Sequence, residues 1–316
     1  MCKTLFKNTR NKFLNKWVRV LLISLGLFGL TRLYFKMTDD FRLSNISYNM
    51  PYRHEWEVPS LPKEEQQQLD NILDQKFYYV GKGAQSYAFK SADDKYILKF
   101  FKFKHLKPSV FISLIPPIGP LKVYKDKQRE RKHRLLNSVF DGYRLAYNIH
   151  AHESGLIYIH LNKSVNLHKI VAVKDKIGIE RQVDLDQVPF ILQEKANTTR
   201  AEMMTLMGAQ DMSGVKKRIQ QIFDLYLLEY NKGIYDRDHG VMHNTGFVQD
   251  RAIHLDVGKL TKDERMKNSA YSQPDFLQVV HKLNAWFKLN YPEYHSTINV
   301  YMEQQMQKMF EEIPVR

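Results

Sequence analysis

Between Lys76 and Glu194 the sequence consists of short apolar runs separated by turn residues, and beyond Glu194 it changes to helical periodicity. This change constrains the fold most, because strands and helices bury their apolar faces at different periods and segregate into layers. Phe77-Tyr78-Tyr79-Val80, Tyr87-Ala88-Phe89-Lys90 and Tyr96-Ile97-Leu98-Lys99-Phe100-Phe101 read as three strands, joined by a glycine turn over 81–86 and a turn at Ala92-Asp93-Asp94. Further strands are expected at 156–161, 170–173, 177–183 and 189–194, after a helix over about 125–151. Residues 214–232 and 274–290 have helical patterning, the second with Pro274 at its first turn. The expected fold class is α+β, with a β-rich half followed by a helical half.

The chain ahead of this domain is of another kind. Residues 17–35 read WVRVLLISLGLFGLTRLYF, with an uninterrupted apolar core over 20–31 edged by Arg19 and Arg32. A bilayer's hydrocarbon layer takes about 20 helical residues, so a span requires both arginines to snorkel, with Trp17 and Tyr34 at the interfaces. The expectation is a membrane anchor, single-pass or lying in the interface. Leu30-Thr31-Arg32-Leu33 does not supply a clean signal-cleavage site. Six bases precede the core against Arg32, Lys36 and Arg42 after it. By the positive-inside tendency the soluble part lies across the membrane from the cytoplasm, whereas ATP chemistry favours the cytoplasmic side, so the side is left open. Cys2, the one cysteine, permits no intrachain disulfide and is a candidate palmitoyl site. Residues 37–75 read as a proline-punctuated linker and a lead-in helix from Pro62 to Gln75.

The net charge of +14 is localised. Residues 1–36 carry +8 and residues 101–134 another +8, leaving −2 for the remainder. A nucleic-acid groove needs its charge across a folded face together with stacking aromatics, so no nucleic-acid partner is expected. Within 102–127, basic residues flank an apolar stretch, VFISLIPPIGPL over 110–121, whose prolines exclude a helix interior or central strand. This insert either packs over the β-rich half or meets anionic lipid.

Phosphate chemistry is suggested by several residues in order. Gly81-x-Gly83 between two strands lets backbone N–H groups approach phosphate oxygens, with Ser86 closing the turn. Lys99 is a lone base in an apolar strand. After a long helix come Asp238, Asn244 and Asp256-Val257-Gly258, an acid, an amide and a second acid around a short hairpin. Phosphoryl transfer uses such groups to orient a hydroxyl and to hold Mg²⁺ against phosphates. His239 and His243, spaced i and i+4, lack a helical setting and a third ligand, so metal-hydrolase chemistry is not expected.

The ordered set Gly81-x-Gly83, Lys99, Asp238, Asn244 and Asp256-x-Gly258 resembles the protein-kinase-like superfamily over about residues 76–260. The resemblance implies a two-lobed fold with a β-rich N-lobe over 76–194 and a helical C-lobe over 195–316. It implies ATP and Mg²⁺ as cofactors, with Gly81, Gly83 and Ser86 over the phosphates and Lys99 on the α- and β-phosphates. Asp238 would be the catalytic aspartate, Asn244 and Asp256 the metal ligands, and Glu194 the interlobe hinge. The ion-pair glutamate for Lys99 would be Glu130, with Asp141 as the alternative. There are departures. Asp236 stands where a histidine is usual, Asn244 is one residue late so that His243 takes its place, and Val257 replaces a phenylalanine. No Ala-Pro-Glu-like segment end is present, and 58 residues follow Gly258. The expected function is a membrane-anchored kinase-like protein acting on an unknown protein or small-molecule hydroxyl; the alternative is a silent pseudokinase scaffold. Expected lipid contacts lie in residues 17–35 and 110–121.

Overall fold

A computed structural model describes residues 2–311, with side chains from residue 16 onward except that of Val110. Cys2 and the first basic residues therefore have side chains outside the described ones. The chain is mixed α+β. Helix α1 (Cys2–Met37) leads, followed by α2 (Leu43–Ile46) and α3 (Lys63–Leu73). Strands β1 (Phe77–Lys82), β2 (Ser86–Ser91) and β3 (Tyr96–Phe101) come next, then α4 (Phe103–Leu106), α5 (Val110–Leu114), α6 (Gly119–Ile149) and α7 (Ala151–Ser154). Strands β4 (Leu156–His160), β5 (Ile170–Lys174), β6 (Glu180–Asp184) and β7 (Phe190–Glu194) complete a curled seven-stranded sheet of order β4-β7-β3-β2-β1-β5-β6. All neighbours in it are antiparallel except β1 and β5.

The alternation read from the sequence decides which face each side chain takes. Along β2, Tyr87, Phe89 and Ser91 are buried while the residues between them are half-buried. With Leu98, Phe100, Val173 and Leu192, Tyr87 and Phe89 form one core, covered by Phe41, Ile46, Leu69 and Leu73 from the segments before β1. Lys99 alternates with Leu98 and Phe100 and so belongs to the opposite face. There Phe101 and Ile191 pack against Phe140 and Tyr143 of α6.

The helical part holds β8 (Asn197–Thr198), α8 (Thr199–Gly208), α9 (Met212–Asn231), β9 (Ile234–Asp236), α10 (Val241–Asn244), β10 (Thr245–Val248), β11 (Arg251–His254), β12 (Leu260–Lys262), α11 (Ser269–Asn290) and α12 (Pro292–Glu311). Its core joins Met203, Phe223, Tyr226, Phe276, Phe287 and Met302 from the four long helices.

Two expectations need correction, the linker over 37–75 and the start of the helix at Pro274, and the 110–121 stretch gains detail. Residues 37–75 are anchored to the folded body, because Phe41, Ile46 and Trp56 are buried, Phe41 and Trp56 against aromatic rings. The 110–121 stretch carries helix at both ends. Pro116 and Pro117 sit in the connection, and Pro120 falls in the first turn of α6, where its missing N–H costs nothing. Finally, α11 begins at Ser269, capped by the Asn268 side chain accepting from the Ala270 N–H, which leaves Pro274 inside the helix. Near the N-terminus, Lys16–Met37 is long and apolar enough to cross a membrane, at about 33 Å for 22 residues.

Candidate functional site

The sheet face that carries Lys99 meets the turn after β11. Lys99 Nζ donates to the Leu255 carbonyl at 2.7 Å, joining residues 156 positions apart. The next residue, Asp256, accepts through Oδ1 from the Gly258 N–H at 3.2 Å and from the Tyr143 hydroxyl at 3.4 Å. Lys99 keeps some exposure, yet the packing around its ammonium desolvates it and pushes its pKa down to about 8, against the opposing pull of Asp256. Burial, reinforced by Asp256, drives the Tyr143 hydroxyl well above its usual value, so it stays a neutral donor. Helix α6 comes this close because Gly142 has no side chain: a Cβ there would lie 2.5 Å from the Val257 carbonyl oxygen.

The glycine turn folds over the same place. Gly83 N–H donates to the Ser86 carbonyl at 2.9 Å, closing the β1–β2 hairpin. Lys102 Nζ donates to the Gly83 carbonyl, and Lys102 N–H to the Gln85 carbonyl at 2.7 Å. Burial and the neighbouring Lys82 push the Lys102 pKa down to about 8. Gln85 reaches the Asp256 turn, its Oε1 lying 3.3 Å from where a Gly258 Cβ would stand. Gly81 has open space where a Cβ would be, so the turn's outer side is unobstructed.

Asp238 and Asn244 flank the same turn. Asp238 N–H donates to Asp236 Oδ1 at 3.0 Å, its Oδ2 lies 2.8 Å from Lys259 Nζ, and its carbonyl accepts from Lys282 Nζ at 2.7 Å. Lys259 directly follows Gly258, so the two aspartate segments are linked by a single side chain. The Asn244 carbonyl accepts from the Leu255 and Asp256 N–H groups at 2.6 and 3.3 Å. Among the described residues, Asp256 Oδ2 and the Asn244 side chain take no hydrogen bond, and no cluster of three or more His, Cys, Asp or Glu could hold a metal alone. Two oxygen donors from adjoining segments suit Mg²⁺ only when substrate phosphates supply further ligands, as is usual for that ion.

The two expected partners of Lys99 lie elsewhere. Glu130 is on the exposed early part of α6 and pairs with Arg134 at 3.1 Å rather than with Lys99. The alternative, Asp141, accepts from the Trp56 indole at 3.2 Å. The α6 side chain that faces the Asp256 turn is Tyr143. Glu194, at the end of β7, pairs with Arg251, and its N–H donates to the Gly155 carbonyl at 2.8 Å where the sheet passes into the helical part. A hollow of about 720 Å³ lies away from this site, between residues 52–66 and the chain around β4.

Sequence reading missed a buried cluster beneath the site. Glu229 Oε1 on α9 lies 2.8 Å from His254 Nδ1 and 2.9 Å from His150 Nε2, and His254 Nε2 lies 3.3 Å from Asp236 Oδ2. Burial favours a neutral Glu229, but the His254 charge and the histidine hydrogen bonds outweigh it and hold the pKa at about 2. Burial likewise opposes charge on His254, yet Glu229 and Asp236 hold it well above the usual histidine value. The cluster fixes the strand ends that carry Asp236 and His254, and thus the start of both aspartate turns. Its one sequence signal was His254, two residues before Asp256.

No family model and no curated protein matches the sequence. Among solved structures the chain is similar to Rv3197 from Mycobacterium tuberculosis, determined in complex with erythromycin, at 14% identity and a TM-score of 0.30. The similarity covers 65% of this chain and 54% of that one, so this chain matches about half the length of that protein. No functional reading rests on it.

Proposed function

We propose that the chain is a membrane-anchored, protein-kinase-like protein, with a β-rich N-lobe and a helical C-lobe, that binds Mg-ATP and transfers phosphate to a hydroxyl acceptor. The observation that carries this reading is the convergence of Lys99, the 81–86 glycine turn and the Asp256–Gly258 turn, which lie far apart in sequence. In this reading the turn's N–H groups and Lys99 hold the nucleotide phosphates. Mg²⁺ held by Asn244 and Asp256 would neutralise charge that develops on the transferred group. Asp238 accepts a hydrogen bond from the acceptor hydroxyl and orients it as the oxygen–phosphorus bond forms and ADP leaves. Lys99 now rests on the Leu255 carbonyl and Lys259 on Asp238, so bound phosphate competes for both ammonium groups.

A silent pseudokinase scaffold is favoured by one observation: α6 presents Tyr143 to the site where the family's helix presents a glutamate. The test is thermal unfolding of the full chain in detergent, with and without millimolar Mg-ATP, for the natural protein and for Asp256→Asn. Ligand at about 100 times its dissociation constant adds about 2.7 kcal/mol. The expected result is a magnesium-dependent rise in Tm that disappears in Asp256→Asn. A rise without ADP production assigns the scaffold, and no rise in either protein removes both nucleotide readings.

A further inference from the structure

Most large apolar side chains outside α1 are covered, but the connection from α5 into α6 is an exception. Phe111 is 80% exposed, Leu114 72%, Ile118 71% and Val123 68%, all within 13 residues. A contiguous exposed apolar patch of this kind marks a docking surface. The tip is nevertheless a built structure, because a polar clamp closes it. Lys125 Nζ, itself buried, donates to the Ser113 carbonyl at 2.9 Å and to the Ile115 carbonyl at 2.7 Å, binding α5 to the first turns of α6. At the base, Lys132 Nζ donates to the His105 carbonyl at 2.7 Å.

Charge and position indicate what covers this surface. Lys107, Lys122, Lys127, Arg129 and Arg131 lie along the chain on either side of the apolar tip, and none has an ion-pair partner among the described residues. A second copy is disfavoured, since each tip would bring the same positive charge against the other. Basic residues around apolar side chains suit an anionic lipid interface, where the charges meet headgroups and the apolar groups enter the acyl boundary. The tip is also rooted beside the exit of α1. Lys104 Nζ lies 2.5 Å from Asp40 Oδ2, three residues beyond Met37, and α5 starts six residues after Lys104. Six residues of chain reach at most about 20 Å, so the hairpin springs from next to the membrane-length helix. We infer that the α5–α6 hairpin is a second membrane contact, which inserts its apolar tip into an anionic leaflet and fixes how the domain sits on the bilayer.

The test uses the full chain with Cys2→Ser and one new cysteine, Leu114→Cys or Phe111→Cys, labelled with an environment-sensitive fluorophore. Leu289→Cys, 82% exposed on α11, serves as the reference. Each protein is reconstituted into vesicles of phosphatidylcholine alone and of phosphatidylcholine with phosphatidylglycerol. The expected result is blue-shifted emission at 114 and 111, quenched by lipid-borne nitroxide, only with phosphatidylglycerol, while 289 stays aqueous. Lys122→Gln, Lys127→Gln and Arg129→Gln together should return the label to water. Aqueous emission at 114 and 111 in the anionic vesicles overturns the inference. So does a blue shift that is independent of phosphatidylglycerol and of the quencher, since the tip is then covered by protein. Neither readout involves nucleotide, so the result is independent of the proposed ATP site.

Discussion

Glu229 shows how one residue can set the geometry of a site it does not touch. Its buried carboxylate holds His150 and His254, and through His254 the ends of the strands that lead into Asp238 and Asp256. Its folded pKa of about 2 lies below the ordinary 4.5, so its contribution to stability is complete above about pH 4.5 and is lost as pH falls toward 2. His254 is shifted upward from 6.5, so its contribution is complete below pH 6.5 and is lost as pH rises through the folded value. Glu229→Gln should therefore destabilise the chain by about 3–5 kcal/mol by leaving charge buried without its partner. It should also flatten the fall in urea midpoint above pH 6.5. An unchanged midpoint and an unchanged pH slope would show the cluster to be electrostatically idle. Nothing in the spacing of Glu229, His150 and His254 announces the cluster, because their contact depends on how α9, the α6–α7 junction and β11 pack.

Among the elements, α6 does most to shape the site. Its apolar face, with Leu136, Val139, Phe140 and Tyr143, packs under the sheet, and Gly142 lets it touch the backbone of the Asp256 turn. A methyl group at 142 would meet carbonyl oxygen and backbone carbon, which cannot swing aside as a side chain can. Gly142→Ala should cost about 1–3 kcal/mol by overpacking, and in the ATP reading it should also reduce the magnesium-dependent Tm shift. Urea titration measures the first effect and thermal unfolding with Mg-ATP the second; equal stability with natural urea behaviour would show that the turn yields freely. The existence of α6 was legible from its periodicity. Its role was not, since Glu130, the residue favoured from sequence, belongs to the part of the helix that projects beyond the core.

On the scale of the whole molecule, the chain before β1 belongs to the folded body. Phe41 contacts the rings of Tyr87 and Phe89, and Asp39 pairs with Lys82 and Lys176, tying the end of α1 to the sheet. Phe41→Ala should therefore destabilise the whole domain by about 3–5 kcal/mol, a loss measurable as a lower urea midpoint. If residues 37–75 were only a tether, the midpoint would not move. The proline-rich composition of that stretch pointed to a linker because single apolar residues between polar ones carry no period.

Sequence alone determined the α+β order, most of the sheet strands and the apolar α1, and it singled out Lys99, Asp238, Asn244 and Asp256 as candidates. These depend on local periodicity and turn chemistry, which are written in consecutive residues. Tertiary structure alone decided that Tyr143 rather than Glu130 faces Asp256, that Lys102 and Gln85 fold the glycine turn over the site, and that Glu229 ties two histidines together. It also decided that the 110–121 stretch stands exposed on a clamped hairpin. The physical reason is that each of these depends on which faces meet when distant elements pack, and on the backbone contacts that packing allows.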